Sequence, residues 1–144
     1  MAEALSRPET TRIITQGVVR LFAAWNVASV LEAPLPNGRR ADVVGIGVKG
    51  ELWIAEVKSG PADFLSDAKW PDYGAFCDRF FFAIAPDFPQ ELLPQGPGVI
   101  VADAFDGAFV RAAAPTSLAP ARRKSMTLLL ARLAAVRAIT TDSA

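Results

Sequence analysis

Residues 40–58 contain two β-type runs joined by a tight turn, and this segment constrains the fold more than any other. Arg40 to Val48 reads as a strand, Lys49-Gly50 as the turn, and Glu51 to Lys58 as the antiparallel partner. Side chains alternate faces along a strand, so Glu56 and Lys58 share one face and Val57 takes the other. The hairpin brings the start of its first strand back beside the end of its second. Asp42, separated from Glu56 by thirteen residues, therefore lies across from the Glu56–Lys58 edge. The run Leu52-Trp53-Ile54-Ala55-Glu56-Val57-Lys58 is otherwise apolar and reads as a central strand. Charges there are costly without a partner or a metal.

Other elements alternate around this hairpin. A helix is expected from near Pro8, with Glu9 suited to the positive helix end and Asn26 as the stop. Ile14, Val18, Leu21, Phe22 and Trp25 form its apolar side; Ile13, Gln16, Gly17, Arg20 and Ala24 mark the other. Val27 to Glu32 is a short β-type run, followed by a loop through Pro34, Pro36, Asn37 and Gly38. After the break at Ser59-Gly60-Pro61, Ala62 to Cys77 reads as helical with an interruption at Pro71. Phe80 to Ala85 is a continuous apolar run, the pattern of a strand buried on both faces. A Pro- and Gly-rich stretch follows, with a helical turn near Gln90 to Leu93. Val99 to Ala102 and Ala108 to Arg111 are short strands, and Ala119 to Ile139 a long helix. That helix has a stripe of Met126, Leu129, Leu130, Leu133 and Val136 opposite Arg122, Arg123, Arg132 and Arg137. The expected fold is α/β: one domain over residues 8–139, a mixed sheet flanked by helices, with flexible ends at 1–7 and 140–144.

Composition narrows the chemistry. The 144 residues suffice for one core. Fifteen Lys and Arg balance fifteen Asp and Glu, so the chain does not coat nucleic acid electrostatically. Any polyanion must be held by a local basic patch or through a metal. The absence of histidine excludes His-liganded metals, Ser-His triads and imidazole acid–base catalysis. Carboxylate ligands favour Mg²⁺ or Mn²⁺. The lone cysteine, Cys77, reads as a small core residue. Met1 to Pro8 has no apolar signal core, and no run approaches the roughly 18–20 apolar residues of a membrane span, so a cytoplasmic location is expected.

Asp42 and Glu56, with the backbone carbonyl of Val57, form a donor set for a divalent cation. Lys58 is placed to orient or help deprotonate a water and to offset charge developing at a phosphate. Together these are the groups that phosphodiester hydrolysis needs. The competing reading is a solvated strand face with a surface ion pair, worth roughly 0–1 kcal/mol.

The pattern Asp-x13-Glu-x-Lys, on a hairpin after a helix and a strand, resembles the PD-(D/E)xK superfamily, the restriction-endonuclease-like fold. The wider pattern resembles the MmcB-like DNA repair proteins of bacteria. It comprises Glu32, Arg39-Arg40-Ala41-Asp42, Glu56-Val57-Lys58-Ser59, Asp63-Phe64, Asp67-x-Lys69-Trp70, Tyr73, Cys77-Asp78-Arg79-Phe80-Phe81-Phe82-Ala83 and Ala121-Arg122-Arg123-Lys124. The similarity covers roughly Thr11 to Arg137. Ala41 stands where the superfamily usually has proline before the first catalytic aspartate. The resemblance implies a restriction-endonuclease-like core and a divalent-metal-dependent DNA nuclease acting in repair, with Asp42, Glu56 and Lys58 in the catalytic positions. It implies DNA as partner, damaged, branched or single-stranded. Repair proteins and a second copy of the chain, docked through the C-terminal helix, are further candidates. The rival is a catalytically silent module of the same fold that binds DNA or a partner protein.

Several residues have two readings each. Glu32 is either a further catalytic carboxylate or a loop-edge charge pairing Arg39 or Arg40; Glu9 is a helix-dipole partner before it is an extra carboxylate. Arg39, Arg40, Lys69, Arg122 and Arg123 are candidate nucleic-acid contacts or solvated charges. Asp63 and Asp67, four apart, either order the site or cap a helix. Trp70 and Tyr73 read as core before they read as base-stacking residues.

Overall fold

A computed structural model describes residues 5–142; part of the expected frayed ends, residues 1–4 and 143–144, lies outside the described residues. Helix α1 spans Arg7–Ala24, followed by strands β1 (Ala28–Pro34), β2 (Arg40–Ile46) and β3 (Leu52–Lys58). Next come a short helix α2 (Pro61–Leu65), a 3-10 segment over Trp70–Phe76 and strand β4 (Arg79–Ile84). Strands β5 (Gly98–Ala102) and β6 (Gly107–Arg111) precede helix α3 (Pro120–Asp142).

The six strands form one sheet in sequence order. β3–β4 and β4–β5 are parallel and the other neighbours antiparallel, which makes the sheet mixed as expected. β3 is central and buried on both faces. One face packs against α1 through Ile14, Val18, Phe22, Val43, Ala55, Phe81 and Ile100. The other packs against α3 and the 3-10 segment through Val44, Ile54, Tyr73, Phe76, Met126 and Leu130. This is a six-stranded mixed sheet flanked by helices, consistent with a restriction-endonuclease-like core.

α1 starts where its cap dictates. The Ser6 hydroxyl accepts from Glu9 N–H and the Glu9 carboxylate accepts from Ser6 N–H, a reciprocal capping box that satisfies two otherwise orphaned donors. Two sequence expectations for this helix are corrected. Gly17 is buried, because the β5–β6 turn crosses the helix there: a Cβ on Gly17 would lie 2.3 Å from the Asp103 carbonyl oxygen. Trp25 lies beyond the helix end and is 62% exposed.

The expected Ala62–Cys77 helix is two pieces. α2 stops at Leu65, and Pro71, which has no N–H to donate, sits in the first turn of the 3-10 segment. The C-terminal helix runs on to Asp142, so Thr140 and Thr141 are helical and not a frayed end. Their hydroxyls donate to the Val136 and Arg137 carbonyls.

Candidate active site

The β2–β3 register pairs Val43 with Ala55 and Ile46 with Leu52, which puts Asp42 opposite Glu56 at the hairpin's open end. The ladder does not continue there. Asp42 N–H donates to Glu56 Oε1 at 2.9 Å, and Val57 N–H donates to Asp42 Oδ2 at 2.8 Å. Each carboxyl thus replaces a ladder carbonyl of the opposite strand, and both groups are held in the gap between the strands. β1 contributes to this gap. Leu31 pairs with Val43 and Ala33 with Ala41, but Glu32 between them has φ +47°, the left-handed region that L-residues seldom adopt. Regular pairing is therefore broken on both sides of Asp42.

Burial sets the electrostatics. Glu56 is 5% exposed. Desolvation, then the neighbouring Asp42 charge, push its carboxyl up to about 9. Burial also raises Asp42, against the hydrogen bond from Val57 N–H and the hydrogen bond between the two carboxyls. At neutral pH the metal-free pair holds a shared proton, the expected state of two carboxyls in contact.

Lys58 projects from the same strand two residues on and is 6% exposed. Its Nζ donates to Asp67 Oδ2 at 2.6 Å. Burial works to raise Asp67, but this bond and the Lys69 N–H overcome it and hold the carboxyl below the usual range. Asp63 serves the backbone: its Oδ2 accepts from Ser59 N–H at 2.9 Å and Ser59 Oγ at 3.1 Å, and its other oxygen takes Arg7 at 2.5 Å. The two aspartates do not repel across a helix face, because Asp67 lies beyond the end of α2 and each has its own cation.

No three Asp, Glu, Cys or His side chains that could jointly hold a metal lie together among the described residues. The donor set is therefore two carboxylates with the Val57 carbonyl as the candidate third ligand. It fits a hard cation that keeps several of its waters, as Mg²⁺ does when bound by one or two carboxylates.

A family model described as DNA repair protein MmcB-like matches residues 2–144. The chain belongs to the MmcB-like family. Among solved structures it is similar to a protein of unknown function from Silicibacter pomeroyi. The two are 44% identical, with a TM-score of 0.85, over 94% of this chain and 90% of that one. No curated protein matches the chain. The family's description connects this MmcB-like chain to DNA repair and does not name a reaction.

The remaining expected site residues of the MmcB-like chain divide by location. Glu32 stands across from Asp42, but its side chain is 68% exposed and faces Arg40 at 4.0 Å. It is outside the carboxyl pair. Arg39 pairs with Asp72 at 3.1 Å, and Arg40 and Lys69 are exposed. Arg122 and Arg123 are not brought to the site. Arg123 binds both oxygens of Asp78 at 2.7 Å and the Gly50 carbonyl, at the opposite end of the hairpin. Arg122 lies over the Phe76 ring, 4.5 Å from its centroid. Trp70 is core, stacked on Phe80 and edge-on to Phe82. Cys77 is buried as expected, its thiol donating to the Tyr73 carbonyl.

Two contributions were missed. Tyr73 packs on Phe80, but its hydroxyl donates to the Arg40 carbonyl at 3.2 Å and lies within hydrogen-bonding reach of Glu56. Burial, then the charges of Glu56, Asp42 and Asp67, push its ionisation well above the ordinary tyrosine value. Tyr73 is thus a fixed donor beside the pair. The second is a groove beside α1 that includes Asp42 in its wall. The signal for it was the four-residue recurrence of Arg12, Gln16 and Arg20, which places them on one helix face.

Proposed function

We propose that this MmcB-like chain is a divalent-metal-dependent DNA nuclease of the PD-(D/E)xK type, acting in DNA repair. One observation carries the reading: Asp42 and Glu56 interlock across the hairpin's open end with the Lys58 ammonium on the same strand. Two carboxyls forced to share a proton at neutral pH release it when a cation takes its place.

Asp42, Glu56 and the Val57 carbonyl are the residues that would hold Mg²⁺ or Mn²⁺. When bound, the ion would supply charge neutralisation at the phosphoryl oxygens and lower the pKa of the attacking water. Lys58 offsets charge on the phosphoryl group as a water oxygen bonds to phosphorus and the bond to the 3′-oxygen breaks; one proton of the water ends on that oxygen, leaving a 3′-hydroxyl and a 5′-phosphate. Asp67 holds that ammonium in place. Tyr73 lies beside Glu56, its hydroxyl donating to the Arg40 carbonyl.

The test is cleavage of single-stranded, flapped and branched DNA with Mg²⁺ and with Mn²⁺. We expect metal-dependent cleavage that is lost in Asp42→Ala, Glu56→Ala and Lys58→Ala. Cleavage that survives all three substitutions overturns the assignment. The engagement of Lys58 by Asp67, and the lack of a third acidic ligand among the described residues, favour a second reading: a non-cleaving module that binds DNA or a partner. It predicts DNA or partner binding with no cleavage under any metal.

A further inference from the structure

The groove between α1 and the β1–β2 edge encloses about 930 Å³. Thr11, Arg12, Thr15, Gln16 and Arg20 line it from α1, and Asp42 lines it from the sheet. Along a helix four residues advance about 6 Å, so Arg12 and Arg20 stand about 12 Å apart on one face with Gln16 between them. Both arginines are exposed, and neither has an ion-pair partner among the described residues. At the helix start Arg7, also in the groove wall, is tied to Asp63 and so to the site strand's end. Of the acids that line the groove among the described residues, Glu32 faces Arg40 and Asp42 accepts from Val57 N–H, against three arginines in the same wall. The groove is therefore positive. Among the described residues it contains no aromatic side chain on which a base could stack.

We propose that this groove is a track for the sugar-phosphate backbone of one DNA strand. Arg12 and Arg20 hold phosphates and Thr11 and Gln16 donate to backbone oxygens, so that the strand is led to Asp42 and Glu56. The inference rests on the reading of that pair as a phosphodiester site. Recognition by phosphate contacts alone fixes position and carries no sequence information. Binding is thus indifferent to base sequence and sensitive to salt.

The test is fluorescence anisotropy of the full chain with labelled oligonucleotides of different sequence, in EDTA, across a series of salt concentrations. Arg12→Gln with Arg20→Gln is expected to weaken binding about tenfold or more. It is also expected to reduce the slope of log K against log salt by about 1.4–1.8, the contribution of two phosphates. Arg132→Gln, on the exposed side of α3, leaves both quantities unchanged. A wild-type chain that binds DNA, with a double variant of equal affinity and slope, overturns the track and leaves the nuclease reading standing. An equal loss in Arg132→Gln overturns it also, since any surface cation would then serve. A wild-type chain that binds no DNA in EDTA, at about 50 mM salt with protein in excess of a typical non-specific Kd of about 100 μM, overturns the track, and the metal-dependent cleavage assay decides the nuclease reading separately.

Discussion

Replacing Glu56 with glutamine tests the electrostatics of the site without reference to activity. In the metal-free folded chain the Glu56 carboxyl titrates near 9, against an ordinary value of 4.5. The shift is upward, so the folded state binds the proton more tightly than the unfolded chain does. Its contribution to stability is complete below the unfolded value and is lost as pH rises toward 9. Between these values the folded state carries up to one more proton, and stability falls by at most about 1.4 kcal/mol per pH unit. From pH 5 to pH 8 the loss approaches about 4 kcal/mol, a large part of the roughly 5–15 kcal/mol that holds a domain of this kind together. A glutamine side chain does not titrate, and its carbonyl oxygen can still accept from Asp42 N–H. The variant is therefore expected to show a much flatter dependence and to exceed the wild type in stability at pH 8. Urea unfolding in EDTA at several pH values measures both curves. Parallel curves for wild type and Glu56→Gln would refute the claim that Glu56 is protonated in the folded chain at neutral pH.

Three further outcomes follow from contacts away from the carboxyl pair. Asp67→Ala leaves the buried Lys58 ammonium without its carboxylate and is expected to cost roughly 3 kcal/mol by urea unfolding. Asp78 accepts from Leu52 N–H, Leu118 N–H and both Arg123 nitrogens, and those bonds, led by Arg123, hold its carboxyl low. Asp78→Ala is expected to cost about 2–3 kcal/mol. Its effect should be full at neutral pH and fade as acid protonates the wild-type carboxyl, with calorimetric Mn²⁺ affinity unchanged. Gly17→Ala forces a methyl against the Asp103 and Asp106 carbonyls and is expected to lower thermal stability by about 1–3 kcal/mol, although alanine is the better helix former.

The hairpin and its charged end were legible because strand alternation and a tight turn fix register locally: once Lys49-Gly50 is the turn, Asp42 must return beside Glu56. The sheet's mixed character followed from the order of its elements. What the sequence concealed lies in contacts between distant segments. Tyr73 reaches the Arg40 carbonyl beside the carboxyl pair because the chain breaks at Pro71 and winds as a 3-10 segment; a continuous helix would have aimed it elsewhere. Arg123 reads as a DNA contact until Asp78, remote in sequence, is found facing it. Gly17 reads as one side of an amphipathic helix, and only the crossing of the β5–β6 turn makes that side an interior one. Glu32 reads as a further carboxylate of the site. Its left-handed backbone contributes instead by breaking the ladder around Asp42.

The zero net charge, an objection to DNA binding at the level of composition, loses most of its force once charges are assigned to places. Arg39, Arg123 and Lys58 are matched to Asp72, Asp78 and Asp67, so these charges cancel where they stand and project little field. Arg79, Arg111 and Arg137 donate to main-chain carbonyls in the body of the fold. The acids nearest the groove are weakened as anions: one proton is shared between Asp42 and Glu56, and Glu32 faces Arg40. Arg12 and Arg20 have no such compensation among the described residues, so the α1 face is positive while the whole is neutral. A field drawn from two arginines engages about two phosphates, too few to coat DNA and enough to guide one strand. On the proposed metal-dependent reading, the bulk of any affinity would then arise at the site, where a bound cation would neutralise both the carboxyl pair and the incoming phosphate. Affinity for DNA should consequently rise in Lys58→Ala, or in any other non-cleaving variant that keeps both carboxyls, when Mg²⁺ or Mn²⁺ is added. The same addition should do nothing for Asp42→Ala. Equal responses in the two variants would mean that the metal acts on the DNA and not at this hairpin.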